Sequence, residues 1–593
     1  MSFKATLNYK MSVYSIIFIA LSALALIYFK WVSSPQPLHV IAGDGEDYYS
    51  YLVSVFIKHD MRVDPSQWYA VSTPGGAINL HTVGVALMEL PFFLAGLFWA
   101  NLTHAELTGF SQPFQVMIQV AAWVYLIVGL FYTARFLADR GFSDQIIALV
   151  LAVVFFGTTL INYAIHEPSM SHIYSFALIS AFLFYAGRLV QECTAGRLYR
   201  MAFLLGLIIL VRPVNGLVLL ALPCLASSSE QLRAFMQGLW VQRKHVFAAM
   251  VICISVLAVQ SVIWFFQNGH LLQWSYKGNG FYFATPHTLS MLFGFNGGLF
   301  IYTPLCFFAL AGFWFMFRKS RFSAWALILF SAVITYVFSA YWGWTYFDGI
   351  GIRAYVDYFT LLALLLALLF SSLKTWQGRS VSTLVFGISL FLNLVFCYQY
   401  YAGILPGAGM TRDKFAYIFL RTSDACKNTL GGCNDLQPYS EQQPPVPVYS
   451  YHETFENNSA ARLVHRDGNA FYLFNGNEYG FTYTSPALGF RSNKIHVKVD
   501  LNRLEFRNHD SDGALLAISL DAADGTKKLF QTFRLNDVPS EGCAEWKACH
   551  YGITACAMFE PDDTFSVFIW NKAGGRFGID DFKLELYNHN YLN

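Results

Sequence analysis

Charged side chains are scarce in this chain. Asp, Glu, Lys and Arg supply only 13% of the 593 residues, against 55% hydrophobic and 18% aromatic residues, and the mean hydropathy is +0.42. So little polar surface excludes an ordinary soluble multidomain protein, and a formal net charge of +2 gives no footing for nucleic acid or another polyanionic partner. No Gly-x-x-x-x-Gly-Lys phosphate loop, Rossmann fingerprint, His-Glu-x-x-His pair or Gly-x-Ser-x-Gly elbow occurs. A nucleotide-driven pump, a zinc protease and a serine hydrolase of that type are therefore poor descriptions. Solenoid repeats are missing as well, and the one biased tract is a proline-rich linker.

Cysteine is sparse too, with ten residues, of which Cys426, Cys433, Cys543, Cys549 and Cys556 fall in the polar C-terminal part. Their placement suggests an oxidising compartment, and their odd number leaves at least one unpaired within that part. His550 lies between Cys549 and Cys556, but the spacing matches no standard zinc pattern, so no metal is expected.

What the chain has in abundance is long apolar runs. The first, Met11 to Trp31, is long enough to cross a bilayer and lacks the short core and small-residue cleavage site of a secretory signal. Further runs fall near 81–102, 114–137, 145–164, 171–190, 201–225, 246–266, 297–317, 323–341, 355–372 and 381–401, eleven in all. The chain is thus expected to be a polytopic α-helical membrane protein with about eleven transmembrane helices.

Basic residues between the runs set orientation, because cytoplasmic loops carry the excess. Lys4 with Lys10, Arg135 with Arg140, Arg188 with Arg197 and Arg200, Arg243 with Lys244, Arg318 with Lys319 and Arg321, and Lys374 with Arg379 form six groups. All six fall on one side if 81–102, with Glu89 and Pro91, dips into the outer face without crossing, and if 201–225 crosses twice around Arg212-Pro213. The alternative makes both single spans, exports Arg135 and Arg140, and turns His166-Glu167 inward. In the first arrangement the N-terminus is cytoplasmic. The loops 32–113, 165–170, the turn at Arg212, 267–296, 342–354 and everything from 402 then face outward.

Beyond residue 401 the pattern changes. Pro438, Pro444, Pro445 and Pro447 mark a linker over 402–447, and alternating runs such as Lys494–Val499, Leu515–Leu520 and Thr564–Trp570 predict a β-sandwich over 448–593.

The polar clusters gather in the outward loops. Gly43-Asp44-Gly45-Glu46-Asp47-Tyr48-Tyr49 follows the first span, and a carboxylate among rings beside flexible glycines suits a general base acting on a hydroxyl. Asp44 is the candidate base, with Glu46 and Asp47 as alternates; Tyr48 and Tyr49 are expected to line the site. His166-Glu167-Pro168-Ser169-Met170-Ser171-His172 occupies a turn between spans, where ionisable groups face a cavity or a partner, although helix capping also accounts for Pro168 and Ser169. His166 and Glu167 join the catalytic candidates, and His172 the lining.

Arg212 and Arg353 are candidates to hold a phosphate, since the guanidinium fork donates paired charge-assisted bonds; Lys277 is a weaker one. Trp342 and Trp344 lie just before Arg353 and are expected to line the same site, although an interfacial aromatic belt explains such rings equally well.

Taken together, these features resemble the GT-C superfamily of polytopic glycosyltransferases, near the branch of protein O-mannosyltransferases and the bacterial aminoarabinose transferase. The likeness covers roughly 30–400. It rests on Asp44 to Tyr51, Thr73-Pro74-Gly75-Gly76, His166 to His172, Arg212-Pro213, Asn296-Gly297-Gly298-Leu299-Phe300 with Thr303-Pro304, and Gly351 to Asp357. It implies transfer of a sugar from a polyprenyl-phosphate donor to an acceptor hydroxyl of a glycan, lipid or protein, with inversion, on the outer face of a bacterial inner membrane.

On that reading Asp44 takes the acceptor proton while Arg353, with Arg212 or Lys277, holds the departing phosphate. No cofactor is expected. Some relatives bind a divalent metal between two acidic motifs, which would fall on Asp44 and Glu167, but the lipid-monophosphate branch is usually metal-independent. The C-terminal part resembles galactose-binding-like jelly rolls through Phe568-Ile569-Trp570-Asn571 and Gly578 to Leu584. A glycan-binding module and a structural cover both fit it. A transporter or flippase of lipid-linked sugars is the competing class for the whole chain. Transporters favour inverted repeats and several broken helices, whereas one clear break is visible here.

Overall fold

In the computed structural model the described residues are 10–588, except 34–36, 277–279, 347–348, 408–409, 411, 424–425, 427–445, 457–462, 467–468, 508–509, 512, 526 and 537–544. Lys277, Cys433, Cys543 and most of the proline-rich linker therefore lie outside the described residues. The chain divides into two compact units. The first is 1–294 with 298–346 and 350–397; the second is 295–297, 347–349 and 398–593.

The first unit is helical. A backbone in hydrocarbon has no water to bond with, so apolar runs close their hydrogen bonds internally as helices. The opening helix, Lys10–Ser33, has 24 residues and so reaches about 36 Å, enough for a bilayer core. Among the described residues eight helices are long and apolar enough to cross, and the other three apolar runs form shorter pieces.

The shorter pieces have local causes. The run 145–164 is broken at Gly157 into Asp144–Phe156 and Leu160–Ile165. The run 297–317 becomes Leu299–Tyr302, Pro304–Ala309 and Ala311–Lys319, interrupted at Thr303-Pro304. The run 201–225 does break at Arg212, which is extended between the Ala195–Val211 helix and the tighter turns of Pro213–Leu225. Gly84–Leu102, expected to dip without crossing, is one unbroken helix of 19 residues with the length and composition of a span.

Close backbone approaches fix the helices around the break. A Cβ on Gly84 would stand 2.2 Å from the Leu210 carbonyl carbon and from the Val211 nitrogen, so the Gly84–Leu102 helix meets the chain within two residues of Arg212. Thr82 Oγ1 donates to the Leu210 carbonyl at 2.6 Å in the same place.

The second unit carries two antiparallel sheets. One is six-stranded, with Ser492–Glu505 between Trp546–Phe559 and Arg576–Asn588; the other runs Tyr479–Thr484, Thr564–Asn571, Ala514–Asp521, Lys527–Arg534. Inward residues alternate along each strand, as in Val497, Val499 and Leu501 against Leu516, Ile518 and Leu520, and the two inner faces share one apolar core. All three strands expected from alternation are present.

Gly84→Ala should destabilise the helical unit by about 1–3 kcal/mol, because backbone atoms cannot rotate aside as a side chain would. Thermal unfolding of the detergent-solubilised protein reads this as a lowered midpoint; an unchanged midpoint would mean the two backbones are not in contact.

Candidate active site

The site begins where the chain leaves the first span. The backbone N–H groups of Val40 and Ile41 donate to Gln115 Oε1 at 2.8 and 3.1 Å, and Ser169 Oγ donates to the Val40 carbonyl at 2.8 Å. Gly43 then adopts a φ of +56°, a turn that a side chain would strain, and a ten-residue helix, Asp44–Val53, starts at once. Asp44, Glu46 and Asp47 all fall in its first turn, where the helix dipole favours negative charge. A Cβ on Gly45 would lie 2.0 Å from Ser169 Oγ, so this first turn presses directly on the 166–172 turn.

The three carboxylates have different fates. Asp47 is wholly buried: its oxygens accept from Asn79 Nδ2 at 2.6 Å, the His81 backbone N–H at 2.9 Å, and pair with His81 Nδ1 at 2.7 Å. Gln267 Nε2 donates to Asn79 Oδ1 at 2.7 Å and extends the network to the Arg243–Asn268 helix. Asp47 is thus committed to holding the Ala70–Thr73/Gly76–Asn79 hairpin. Glu46 is half-buried and lies within electrostatic reach of Tyr69. Asp44 keeps a side chain 29% exposed, and Arg353 Nη2 donates to its Oδ2 at 2.8 Å.

Arg353 arrives from the far end of the chain, at the start of the 353–372 span. Gly351, with φ +65°, turns the backbone just before it, and the guanidinium is nearly buried, with Nη1 4.0 Å from Met170 Sδ. Burial works against ionisation of Asp44. Arg353 overcomes this, assisted by His81, His172 and Arg212, and holds the carboxyl below its ordinary range.

Arg212 forms the second cation of the cluster. Its Nη1 lies 3.0 and 3.2 Å from the two ring nitrogens of His172 and 3.7 Å from Asp357 Oδ2, and its guanidinium stands 5.8 Å from the Tyr346 ring centre. Asp357 is fully buried, paired with His172 Nδ1 at 2.9 Å and accepting from Asn215 Nδ2 at 2.7 Å. Two arginines and two aspartates therefore balance in charge within one polar cluster.

Other expected residues spread out. Tyr48 is buried within electrostatic reach of Asp44 and both arginines; burial first, then Asp44, raises its phenol above the ordinary value. Tyr49 is buried in the core, its ring 5.6 Å from Phe93 and its hydroxyl donating to the Gly109 carbonyl at 2.6 Å. Burial, with Lys30 nearby, pushes His166 down to about 3, so it is neutral at physiological pH. Glu167 acts electrostatically on both Lys30 and Arg353. Trp344 stacks on His287 at 5.0 Å, and Trp342 is 40% exposed beside Tyr341. Among the described residues no group of three or more His, Cys, Asp or Glu side chains is placed to hold a metal.

Asp357, Asn215, His81 and Asn79 were not singled out by the sequence. The signal for Asp357 was present, since an acid within an apolar run demands a partner, but nothing in the sequence pointed to His172 and Asn215.

No protein-family model matches the chain, and no curated protein matches it. Solved structures similar to this chain include two glycosyltransferases. ArnT from Cupriavidus metallidurans, bound to undecaprenyl phosphate, shows 12% identity and a TM-score of 0.39 over 65% of this chain and 70% of that one. The arabinosyltransferase EmbB from Mycobacterium smegmatis shows 11% identity and a TM-score of 0.28 over 97% of this chain and 68% of that one.

Asp357→Asn removes the anion from a buried group of three cationic or polar partners, His172, Asn215 and Arg212, at a cost of about 3–5 kcal/mol. Asp44→Asn, at a partly exposed pair, should cost less. Thermal unfolding of both variants in detergent checks the order; a larger loss for Asp44→Asn would contradict the burial difference.

Proposed function

We propose that this protein is a membrane glycosyltransferase that moves a sugar from a polyprenyl-phosphate donor to an acceptor hydroxyl at the extracytoplasmic face, with inversion. The observation that carries this reading is the Arg353–Asp44 pair at 2.8 Å with Arg212 in the same cluster. A carboxylate suited to act as a base and two guanidinium groups suited to hold phosphate meet at a partly open spot at the start of a membrane span, the depth at which a lipid headgroup is expected.

The chemistry follows from charge. Without donor, Arg353 suppresses the basicity of Asp44. A donor phosphate competes for the same guanidinium fork and offers two oxygens to it, which frees Asp44. The acceptor oxygen then attacks C1, Asp44 takes its proton, and the C1–O bond to phosphate breaks with its electron pair on the phosphate. Negative charge leaves Asp44 as it appears on the phosphate. Arg353 bonds the first and, on this reading, follows the second, so its stabilisation grows toward the transition state. The leaving group is a phosphate, so no separate acid is required. Asp357 is a positioning residue that holds Arg212 through His172 and by its own charge. The C-terminal sandwich fits either a glycan-binding module or a cover.

The test is transfer of a radiolabelled sugar from polyprenyl-phosphate donors by the purified protein. Asp44→Asn should lower kcat by about 10²–10⁴-fold while the protein stays in the membrane. Arg353→Lys keeps the charge but loses the fork, and should raise the donor KM and lower kcat by at least about tenfold. Retention of full transfer by Asp44→Asn would overturn the assignment.

The lowered carboxyl of Asp44 also fixes a pH profile. The base is lost only as pH falls through its depressed value, so kcat/KM should stay flat down to about pH 5 and drop below the ordinary carboxylate range. An acid limb near neutrality would point to another base.

A further inference from the structure

We propose that the junction between the Ser229–Val241 and Arg243–Asn268 helices is a binding site for an anionic phospholipid of the surrounding bilayer. The first of these helices is amphipathic. Leu232, Phe235, Met236, Leu239 and Trp240 recur at helical spacing, with Glu230, Gln231, Arg233 and Gln237 between them. Ser228 caps it, accepting from the Gln231 N–H at 3.3 Å. Its apolar stripe is wider than the protein covers: Phe235 is buried, but Met236 is 57% and Trp240 72% exposed. A helix of this kind lies in the plane of the membrane surface with its uncovered apolar side among acyl chains.

After the single residue Gln242 the chain enters Arg243–Asn268, the least buried of the eight span-length helices. Between the two helices lies a shallow, open apolar groove of about 660 Å³ whose lining includes Met236, Trp240, Phe247 and Met250, with Arg243 and Lys244 as its cations. Arg243 stands 5.9 Å from the Trp240 ring centre. Among the described residues neither cation has an acidic partner within ion-pair distance.

An open apolar groove whose two positive charges have no acidic partner among the described residues, at the start of a membrane span, matches an acyl chain below an anionic headgroup. A neutral headgroup would leave the charge unanswered. Simple snorkelling of basic side chains explains the charges but not the groove beside them. The chain supplies its own control: Arg318 and Lys319, at the end of the Ala311–Lys319 helix, also lie against aromatic rings, Trp314 and Phe142, and do not line this groove.

The experiment is native mass spectrometry of the delipidated full-length protein titrated with phosphatidylglycerol or phosphatidylcholine. Wild type should hold one phosphatidylglycerol more tightly than phosphatidylcholine. Joint replacement Arg243→Ala and Lys244→Ala should weaken that lipid roughly 10- to 30-fold, at about fivefold per charge, and Arg318→Ala with Lys319→Ala should leave it in place. Equal weakening by both pairs, or no preference between the two lipids in wild type, overturns the proposal. The wild-type comparison decides alone if a variant fails to fold. A protein or a second copy of this chain cross-linking at Trp240→Cys in native membranes, in place of lipid, also overturns it. Sugar transfer plays no part in the readout, so the outcome is independent of the proposed activity.

Discussion

The helical unit depends on a charge that has to be balanced. Arg353 enters the protein at the start of a membrane span and is nearly buried, and a bare guanidinium there would be expelled toward water. Asp44, 309 residues earlier, supplies the balance at 2.8 Å. That pairing joins the first loop to a late span, and much else serves it. Gly43 turns the chain so that Asp44 opens a helix, Gly45 lets that helix touch Ser169, and Gly351 turns the backbone into Arg353. Asp357 does for Arg212 what Asp44 does for Arg353, but in full burial and with Asn215 as a further hydrogen-bond donor.

The two pairs differ in a way that matters for chemistry. Asp357 has both oxygens engaged and no exposure, so it can only hold its neighbours in place. Asp44 uses one oxygen on Arg353 and remains partly open. A buried, satisfied carboxylate rigidifies, whereas a partly open one held through a single oxygen can change partner. This contrast, more than the mere presence of acids, separates the proposed base from its supports.

Much of the architecture was legible beforehand. Long apolar runs announced a membrane protein, alternation announced the sandwich, and Pro213 after an arginine announced a break. The interruptions within the runs were not, because hydropathy averages over a window and does not feel a Thr303-Pro304 step or a Gly157 interruption that ends a helix early. The three acids after the first span were equally opaque. They share one helical turn and one composition, and what sets them apart is the distant His81 and Asn79, which consume Asp47, and the more distant Arg353, which faces Asp44.

By itself the sequence determined everything whose free energy adds up residue by residue: transfer of apolar runs into hydrocarbon, two-residue alternation against a core, and the backbone limits of proline. The tertiary structure alone decided which carboxylate meets which arginine and which acids stay half open. Those are pairwise interactions between side chains hundreds of residues apart, and their energies exist only once the helices have packed.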